Sequence, residues 1–269
     1  MISFGRAPCD EGVIRAAAET PGCAERARPW VLAVTILGSS MAFIDGSVVT
    51  VALPAIQADL TTSVAGAQWV ANAYMLMLGA LILAGGAAGD RFGRRRVFAL
   101  GVAIFTVASV ACGLAPNTAA LIAARAAQGV GGALLVPGSL AIISAAFPQE
   151  ERGKAIGTWA GFSALTTAVG PVLGGWLVDA LTWRAIFFIN VPIALVTLGL
   201  AFWQVPESRD ASDGATVDWR GAFLATLGLA GLAYGLTAAS DTPSSPVSCS
   251  GAGSFSPFSS GTSHVHHPP

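Results

Sequence analysis

Seven apolar stretches, each close to the length that crosses a lipid bilayer, take up most of this chain. A helix needs roughly 20 apolar residues to span the hydrocarbon core. Five of the stretches contain no Asp, Glu, Lys or Arg, while the first contains only Asp45 and the fourth only Arg125. The stretches are 30–53, 67–89, 97–116, 119–147, 155–178, 185–205 and 221–239. The sequence therefore predicts an all-α integral membrane protein that is surrounded by the lipid bilayer.

The composition excludes several other classes of protein. Charged residues make up 11% of the chain, against about 25% in soluble domains. The net charge of −1 does not suit a nucleic-acid partner. The four cysteines are scattered without metal-ligand spacing, and all three histidines lie beyond the last apolar stretch. We therefore expect no enzymatic activity, no cofactor and no bound metal.

The order of polar and apolar stretches predicts the domain organisation. We expect a cytoplasmic tail over 1–29, a six-helix transmembrane bundle over 30–205, a cytoplasmic loop over 206–220 and a seventh transmembrane helix over 221–239. Residues 240–269 are rich in Ser, Pro and Gly, and this composition predicts disorder. Because the change falls directly at the end of an apolar stretch, it favours an altered reading frame or a truncation.

The basic residues predict how the chain is oriented in the membrane. If the N-terminus is cytoplasmic, twelve of the fourteen Lys and Arg residues fall on the cytoplasmic side. Only Arg184 then lies outside, and Arg125 lies within the membrane. Because cytoplasmic loops carry an excess of Lys and Arg, we expect a multi-pass protein of the inner (plasma) membrane with a cytoplasmic N-terminus.

Asp45 and Arg125 are the two charged residues predicted inside the membrane. A charged side chain there costs about 2.5–3.5 kcal/mol on insertion scales, so it normally faces a partner or a cavity. Counting along the helices places Asp45 ~12 Å and Arg125 ~9 Å below the same membrane face. The two can meet if their helices adjoin, with Gln128 one turn away from Arg125. Alternation of the carboxylate between Arg and water is what a proton-coupled pump requires, and a static ion pair is the alternative.

The short loop between the second and third stretches is the densest cluster of charge. Asp90 is predicted near the start of the helix that resumes around Val97, where an acidic side chain favours the helix dipole. Gly93 permits a tight turn, and the arginines at 94–96 hold that turn at the anionic inner leaflet. A plain positive-inside anchor explains the arginines but not the Asp-Arg-x-Gly order.

Five motifs resemble those of the major facilitator superfamily, and within it the drug:proton antiporters of the fourteen-helix type. Residues 86–96 resemble the loop signature between helices two and three, and residues 121–129 resemble the helix-four signature. Residues 170–175 look like the antiporter signature of helix five. Residues 45–54 and 183–192 are similar to the first-helix and sixth-helix patterns of the fourteen-helix exporters.

The resemblance implies proton-driven export of small amphipathic or cationic compounds by alternating access. It implies that Asp45 and Arg125 couple transport to protons, and that the loop gates by latching onto a C-terminal half. The residues that match the gating loop are Gly86, Asp90, Arg91, Gly93, Arg94 and Arg95. The residues that match the helix-five motif are Gly170, Pro171, Gly174 and Gly175.

The resemblance covers one bundle, whereas transporters of this superfamily bind substrate between two six-helix halves. The seventh helix would be a linker in the fourteen-helix type. We therefore expect a truncated multidrug transporter that lacks its C-terminal half. The alternatives are a non-transporting membrane fragment and a half-transporter that works as a homodimer.

Overall fold

The computed structural model describes residues 22–208 and, beyond them, Gly221, Leu224, Leu227, Gly228, Gly231 and Leu232. Between residues 22 and 208 the regular secondary structure is entirely helical. The helices are α1 (Gly22–Asp59), α2 (Val64–Phe92), α3 (Arg94–Gly113), α4 (Thr118–Ala146), α5 (Gln149–Ala180), α6 (Ala185–Phe188) and α7 (Asn190–Gln204).

Six helical spans in this part of the chain are long and apolar enough to cross a membrane. Five of them belong to α1–α5, and α6 with α7 forms the sixth, Ala185–Gln204. The predicted all-α membrane bundle is therefore confirmed. Of the predicted seventh helix at 221–239, six positions are described, each with helical backbone. Its other residues lie outside the described residues, as do 1–21 and the predicted tail at 240–269.

Local side chains determine where two of the spans begin. The Ser63 hydroxyl accepts a hydrogen bond from the Gly66 amide at 3.1 Å and caps α2. The Asn117 side chain accepts one from the Ala120 amide at 2.9 Å and caps α4. Each cap satisfies a donor that the first helical turn would otherwise leave unpaired. The short polar turns between the apolar stretches thus also start the helices that follow.

The sixth span is interrupted at Ile189, between α6 and α7. Pro192 lies three residues further and has no amide hydrogen for the Phe188 carbonyl, and its ring clashes with that carbonyl in a continuous helix. At this interruption the neighbouring Phe187 carbonyl accepts a hydrogen bond from the Ser109 hydroxyl at 2.8 Å. The interruption therefore ties the sixth span to α3.

The bundle has α4 at its centre, with α2 and α3 packed along it, while α1 packs against α5. The two largest apolar clusters of the core lie one towards each end of the bundle, and a smaller third cluster contains Ile143, Ala155 and Trp159. The first contains Met41, Tyr74, Phe98, Phe105 and Leu135, and the second contains Ile56, Val70, Leu121, Trp183 and Phe187. A layer of buried polar side chains, among them Asp45, Arg125 and Gln128, separates these two large clusters.

Glycine allows α3 and α4 to approach backbone to backbone. A Cβ added at Gly131 would lie 2.5 Å from the amide nitrogen of Phe105 and 2.9 Å from the carbonyl oxygen of Gly101. Those backbone atoms cannot move aside without shifting α3. Such close approach is how helices associate where lipid removes the hydrophobic driving force between them.

Replacing Gly131 with alanine is expected to destabilise the chain by about 1–3 kcal/mol, the usual cost of overpacking. Gly161→Ala is the matched control, because a Cβ at Gly161 meets nothing within 4 Å. That substitution should be neutral or slightly stabilising, since alanine is the better helix former. Thermal unfolding of both purified variants in detergent micelles measures the difference. Equal unfolding temperatures for the two variants would contradict the close backbone contact between α3 and α4 at Gly131.

Candidate functional site

Asp45 on α1 and Arg125 on α4 form a salt bridge in the interior of the bundle. Both side chains are 1% exposed, and Arg125 Nη1 donates to Asp45 Oδ2. The structure thus brings together the two intramembrane charges that the sequence placed at similar depth. An ion pair in a low-dielectric interior is screened little, so each charge depends strongly on the other.

Other elements hold the Arg125 guanidinium in place. Its Nε donates to the Val70 carbonyl of α2 at 3.1 Å, and its Nη1 also donates to Gln128 Oε1 at 2.7 Å. The guanidinium carbon lies 4.3 Å from the centre of the Tyr74 ring and 5.9 Å from that of Phe187. Cation–π contacts of this kind stabilise a cation that has lost its water. Arg125 is therefore fixed in position even without its carboxylate partner.

Gln128 joins the two charges. Its Nε2 donates to Asp45 Oδ1 at 2.8 Å while its Oε1 accepts from Arg125. Both carboxylate oxygens of Asp45 are thus hydrogen-bonded, one to each residue of this pair on α4. Because Gln128 and Arg125 are three residues apart, they lie on one face of the helix. A proton on Asp45 would remove the charge that both partners bind.

A second group of charges lies at the end of the bundle where α3 begins, which we call the arginine end. It contains Arg28, Asp90, Arg94, Arg95, Arg96, Glu151 and Glu207. The Asp90 carboxylate accepts from Arg94 Nε at 3.0 Å and from Arg94 Nη2 at 2.9 Å. Asp90 lies in the last turn of α2, so the expectation that it sits at the start of α3 was wrong. The helix continues past the apolar stretch because its charged last turn is hydrated outside the hydrocarbon core.

Gly93 separates α2 from α3 with φ of 106°, in the region that favours glycine. The other residues matched to the gating loop are placed as follows. Gly86 is half-buried, and a Cβ there would lie 3.8 Å from Pro137 Cβ of α4. Arg91 is exposed, with its guanidinium 5.7 Å from the centre of the Phe92 ring. Gly93 thus makes the turn that places Arg94 against Asp90.

Glu207 is the residue of the arginine end that sequence reasoning missed. Its side chain is 2% exposed, and its Oε1 accepts from the Arg95 amide at 3.1 Å. Its Oε2 lies 3.4 Å from Arg96 Nε and 3.6 Å from Arg95 Nε. In addition, the Arg94 amide donates to the Ser208 carbonyl at 3.0 Å, and Arg95 Nη1 donates to the Val205 carbonyl at 2.9 Å. The chain after α7 therefore caps the first turn of α3.

A signal for this contact exists in the sequence. Three arginines in the first turn of a helix oppose its dipole, so α3 requires a nearby carboxylate. Glu207 follows the sixth apolar stretch directly and lies on the same side of the membrane as the loop. What the sequence does not specify is that α7 and α3 are neighbours.

The helix-five motif lies where α5 crosses α1. A Cβ added at Gly170 would collide with the Ser47 side chain, and one at Gly174 would lie 2.9 Å from Val48 Cγ1. Gly175 meets nothing within 4 Å, and Pro171 is exposed. Two of the four motif residues thus bring α5 close to α1, next to the segment that carries Asp45.

At the opposite end of the bundle, Asp59 joins the end of α1 to the turn before α6. Its Oδ2 accepts from Trp183 Nε1 at 2.9 Å and from Arg184 Nη2 at 3.1 Å. Arg184 also donates to the Ala115 carbonyl at 3.0 Å, and its guanidinium lies 4.2 Å from the centre of the Trp183 ring. Unlike Asp45, the Asp59 side chain is 50% exposed. Water therefore screens this pair.

The sequence is similar to proteins named for drug resistance. A family model described as Major Facilitator Superfamily matches residues 35–269. The tetracenomycin C resistance and export protein of Streptomyces glaucescens is 40% identical over 221 residues, which are 81% of this chain and 41% of that protein. The multidrug resistance protein Stp of Mycobacterium tuberculosis is 44% identical over 178 residues, covering 66% of this chain and 33% of Stp. The chain thus spans between 33% and 41% of these relatives.

A solved structure shares the fold. A bacterial homolog of the human lysosomal transporter Spinster, in an inward-facing and occupied conformation, superposes with a TM-score of 0.55. Its sequence is 23% identical, and the match covers 68% of this chain and 46% of that chain. The described bundle therefore has the arrangement of helices found in slightly less than half of that molecule.

Proposed function

Because the chain belongs to the Major Facilitator Superfamily, we propose that it forms the first six-helix bundle of a proton-coupled drug exporter of the fourteen-helix type. The observation that carries this proposal is the buried Asp45–Arg125 pair, which lies within two membrane spans. Charged residues at such depth normally mark the path of an ion or a substrate. The relatives named for resistance to tetracenomycin C and to several drugs support export as the direction of transport.

In the proposed cycle, Asp45 alternates between two states. As an anion it is bound by Arg125 and Gln128 and holds α1 against α4. When it takes up a proton, the attraction is lost, while Arg125 keeps its contacts with Val70, Gln128 and the Tyr74 ring. The protonated and anionic states thus favour different packing of α1 on α4, and the population of each follows the proton concentration. A cationic compound that reaches Asp45 would compete with the proton for the same carboxylate.

The arginine end has the gating role in this proposal. Asp90, Gly93 and Arg94 fix the turn between α2 and α3, and Glu207 holds the first turn of α3. This contact keeps the loop attached to its own bundle. We therefore propose that a change in the packing of α7 on α3 reaches the loop directly through Glu207.

The proposed orientation places the arginine end in the cytoplasm. Within the described spans, α3 begins with three consecutive arginines at that end, whereas Arg184 lies at the opposite end. The excess of positive charge supports a cytoplasmic arginine end. The protein would then be a multi-pass protein of the plasma membrane with a cytoplasmic N-terminus.

A second bundle is part of the proposal. The relatives are more than twice as long as the matched region, and transporters of this superfamily bind substrate between two halves. The helix-five motif and the half-buried Gly86 would then lie near that second half. Small amphipathic or cationic compounds are the proposed substrates, because an acidic group in an apolar bundle selects for them.

Asp45→Asn is expected to reduce drug-driven proton flux to below about a tenth of its original rate, equivalent to at least 1.4 kcal/mol. The protein to assay is a chimera of residues 1–208 with the second half of the Streptomyces glaucescens relative, reconstituted in vesicles with a pH-sensitive dye. Ethidium serves as the cationic compound. Asp59→Asn is the matched control, since that carboxylate lies on the same helix but is half-exposed.

The outcomes of this assay separate the candidate functions. Loss of flux in Asp45→Asn with retention in Asp59→Asn supports proton coupling at Asp45. Unchanged flux in both variants rejects it. Transport by the chain alone would favour a homodimer over the requirement for a second half. A chimera that inserts but does not transport would instead favour a non-transporting membrane fragment.

A further inference from the structure

The polar layer around Asp45 extends across the bundle to the sixth span. Ser109 on α3 and Asn190 at the start of α7 are buried, with 0% and 1% exposure. Asn190 Nδ2 donates to Ser109 Oγ at 2.9 Å, and Gln128 Nε2 donates to the same oxygen at 3.4 Å. Gln128 in turn donates to Asp45. A continuous set of hydrogen bonds therefore joins α7, α3, α4 and α1.

The hydroxyl of Ser109 determines the direction of these bonds. Its single hydrogen is donated to the Phe187 carbonyl at 2.8 Å, next to the interruption of the sixth span. Ser109 Oγ can then only accept from its other neighbours. This places the nitrogen of the Asn190 amide, rather than its oxygen, against Ser109. The same argument places the nitrogen of the Gln128 amide towards Ser109 and Asp45, which leaves Gln128 Oε1 for Arg125.

Burying the Asn190 side chain carries a cost in folding free energy that packing alone does not explain. With its nitrogen on Ser109, its Oδ1 has no hydrogen-bond partner among the described residues, although it is buried. An unpaired buried acceptor is unfavourable, and an apolar side chain of similar volume would avoid the penalty. An unpaired buried polar group in a native structure calls for an explanation. The hydrogen bond from Asn190 to Ser109, and through Ser109 to Gln128, explains why an asparagine occupies this position.

We propose that Asn190, acting through Ser109, is a positioning residue for the Asp45–Arg125 pair. It saturates the second acceptor site of Ser109, which restrains Ser109 and therefore the amide of Gln128. With Gln128 held, its amide nitrogen stays hydrogen-bonded to Asp45 and its amide oxygen stays hydrogen-bonded to Arg125. The readiness of Asp45 to take a proton then depends on a residue of the sixth span. This inference rests on the proposed coupling role of Asp45.

Among the described residues, the charged or titratable side chains that face Asp45 are Arg125 from α4, Tyr74 from α2 and Cys112 from α3. The guanidinium of Arg125 stays protonated. The helices α6 and α7 carry no charged residue, and α5 carries charges only near its two ends. The Tyr74 hydroxyl is donated to the Ala42 carbonyl at 3.1 Å. A change in the titration of Asp45 on altering Asn190 would therefore have to pass through the hydrogen bonds described.

The test measures the infrared C=O band of the protonated Asp45 carboxyl as a function of pH, with the purified chain in lipid nanodiscs. The band is assigned to Asp45 by its absence in the Asp45→Asn variant. Asn190→Leu and Ser109→Ala should each displace the titration midpoint of this band by about one pH unit, a tenfold change in proton affinity. Ser109→Thr keeps the hydroxyl and should restore the original midpoint. Thr197→Val is the matched control on α7, because the buried Thr197 hydroxyl bonds, among the described residues, only to the Ile193 carbonyl of its own helix.

Unshifted midpoints in Asn190→Leu and Ser109→Ala would overturn the positioning role and leave the coupling role intact. An equal shift in Thr197→Val would overturn it too, since any change to α7 would then suffice. If the Asp45 band does not titrate, the coupling role fails, and a double-mutant cycle decides the positioning role separately. In that cycle Asn190→Leu and Gln128→Leu should depart from additive Tm shifts by at least about 2 °C, and additivity would overturn the proposal.

Discussion

Arg125→Met is expected to lower the free energy of unfolding by about 3–5 kcal/mol, the cost of leaving a buried charge without its partner. The Asp45 carboxylate would lose its cation while remaining 1% exposed, and the Val70 carbonyl would lose its donor. Methionine keeps the unbranched apolar stem of arginine and lacks its guanidinium, so the cost combines a lost charge with a small cavity. Unfolding of the purified chain by a denaturing detergent, followed by circular dichroism, measures it.

Two further variants show whether the unpaired charge causes the loss of stability in Arg125→Met. Asp45→Asn combined with Arg125→Met removes both charges and should cost less than Arg125→Met alone, because no unpaired charge remains. Arg184→Met breaks the Asp59 pair at the opposite end, where Asp59 is 50% and Arg184 33% exposed. It should cost no more than about 1 kcal/mol, as for other solvent-screened pairs. Similar losses for Arg125→Met and Arg184→Met would contradict a buried, tightly coupled pair.

Glu207→Ala is the second substitution with a large expected effect, a loss of about 1.5–3 kcal/mol. The variant loses the charge-assisted hydrogen bond by which Glu207 caps α3 at the Arg95 amide, and a bond of this kind is worth about that much. The arginines at 94–96 would then face the positive end of the α3 dipole with no carboxylate from α7. The same unfolding measurement applies.

Hydrogen exchange locates this effect within the molecule. In Glu207→Ala the amides of Arg94 and Arg95 should exchange faster, since both are bonded to the segment after α7, whereas amides in the middle of α3 should not change. Glu151→Ala is the matched control, because its pair with Arg28 also lies at the arginine end but the Glu151 side chain is 53% exposed. It should cost no more than about 1 kcal/mol. Unchanged exchange at Arg94 and Arg95 would mean that Glu207 does not cap α3.

Much of the fold follows from the pattern of apolar residues. A backbone in lipid must satisfy its hydrogen bonds internally, so a charge-free stretch of this length has few alternatives to a helix. Six of the seven predicted stretches correspond to the six spans that the structure describes, although three of them run one to three residues past the end of the helix. The depth of Asp45 and Arg125 could also be counted, because the rise per residue of a helix is constant. Their contact did not follow from depth alone, since it requires α1 and α4 to be neighbours.

The residues that were missed make their contacts with distant parts of the chain. Glu207 binds Arg95, which lies 112 positions away in the sequence, and Asn190 binds Ser109 across 81 positions. No periodicity along one helix can indicate which face of another helix it meets. The ends of the helices differ from the ends of the predicted apolar stretches for a related reason. Charged turns such as the one containing Asp90 continue a helix into the aqueous layer, beyond the apolar stretch that predicted it.

The sequence by itself determined that this chain crosses a membrane, where its spans lie and which two charges lie within them. These properties follow from the transfer of side chains and backbone into lipid, which acts on each stretch separately. Only the tertiary structure decided what the charges bind. It placed Gln128 between Asp45 and Arg125, Glu207 at the first turn of α3, and Asn190 against Ser109. Those contacts depend on how the helices pack, and packing between helices in lipid is decided by the fit of particular side chains.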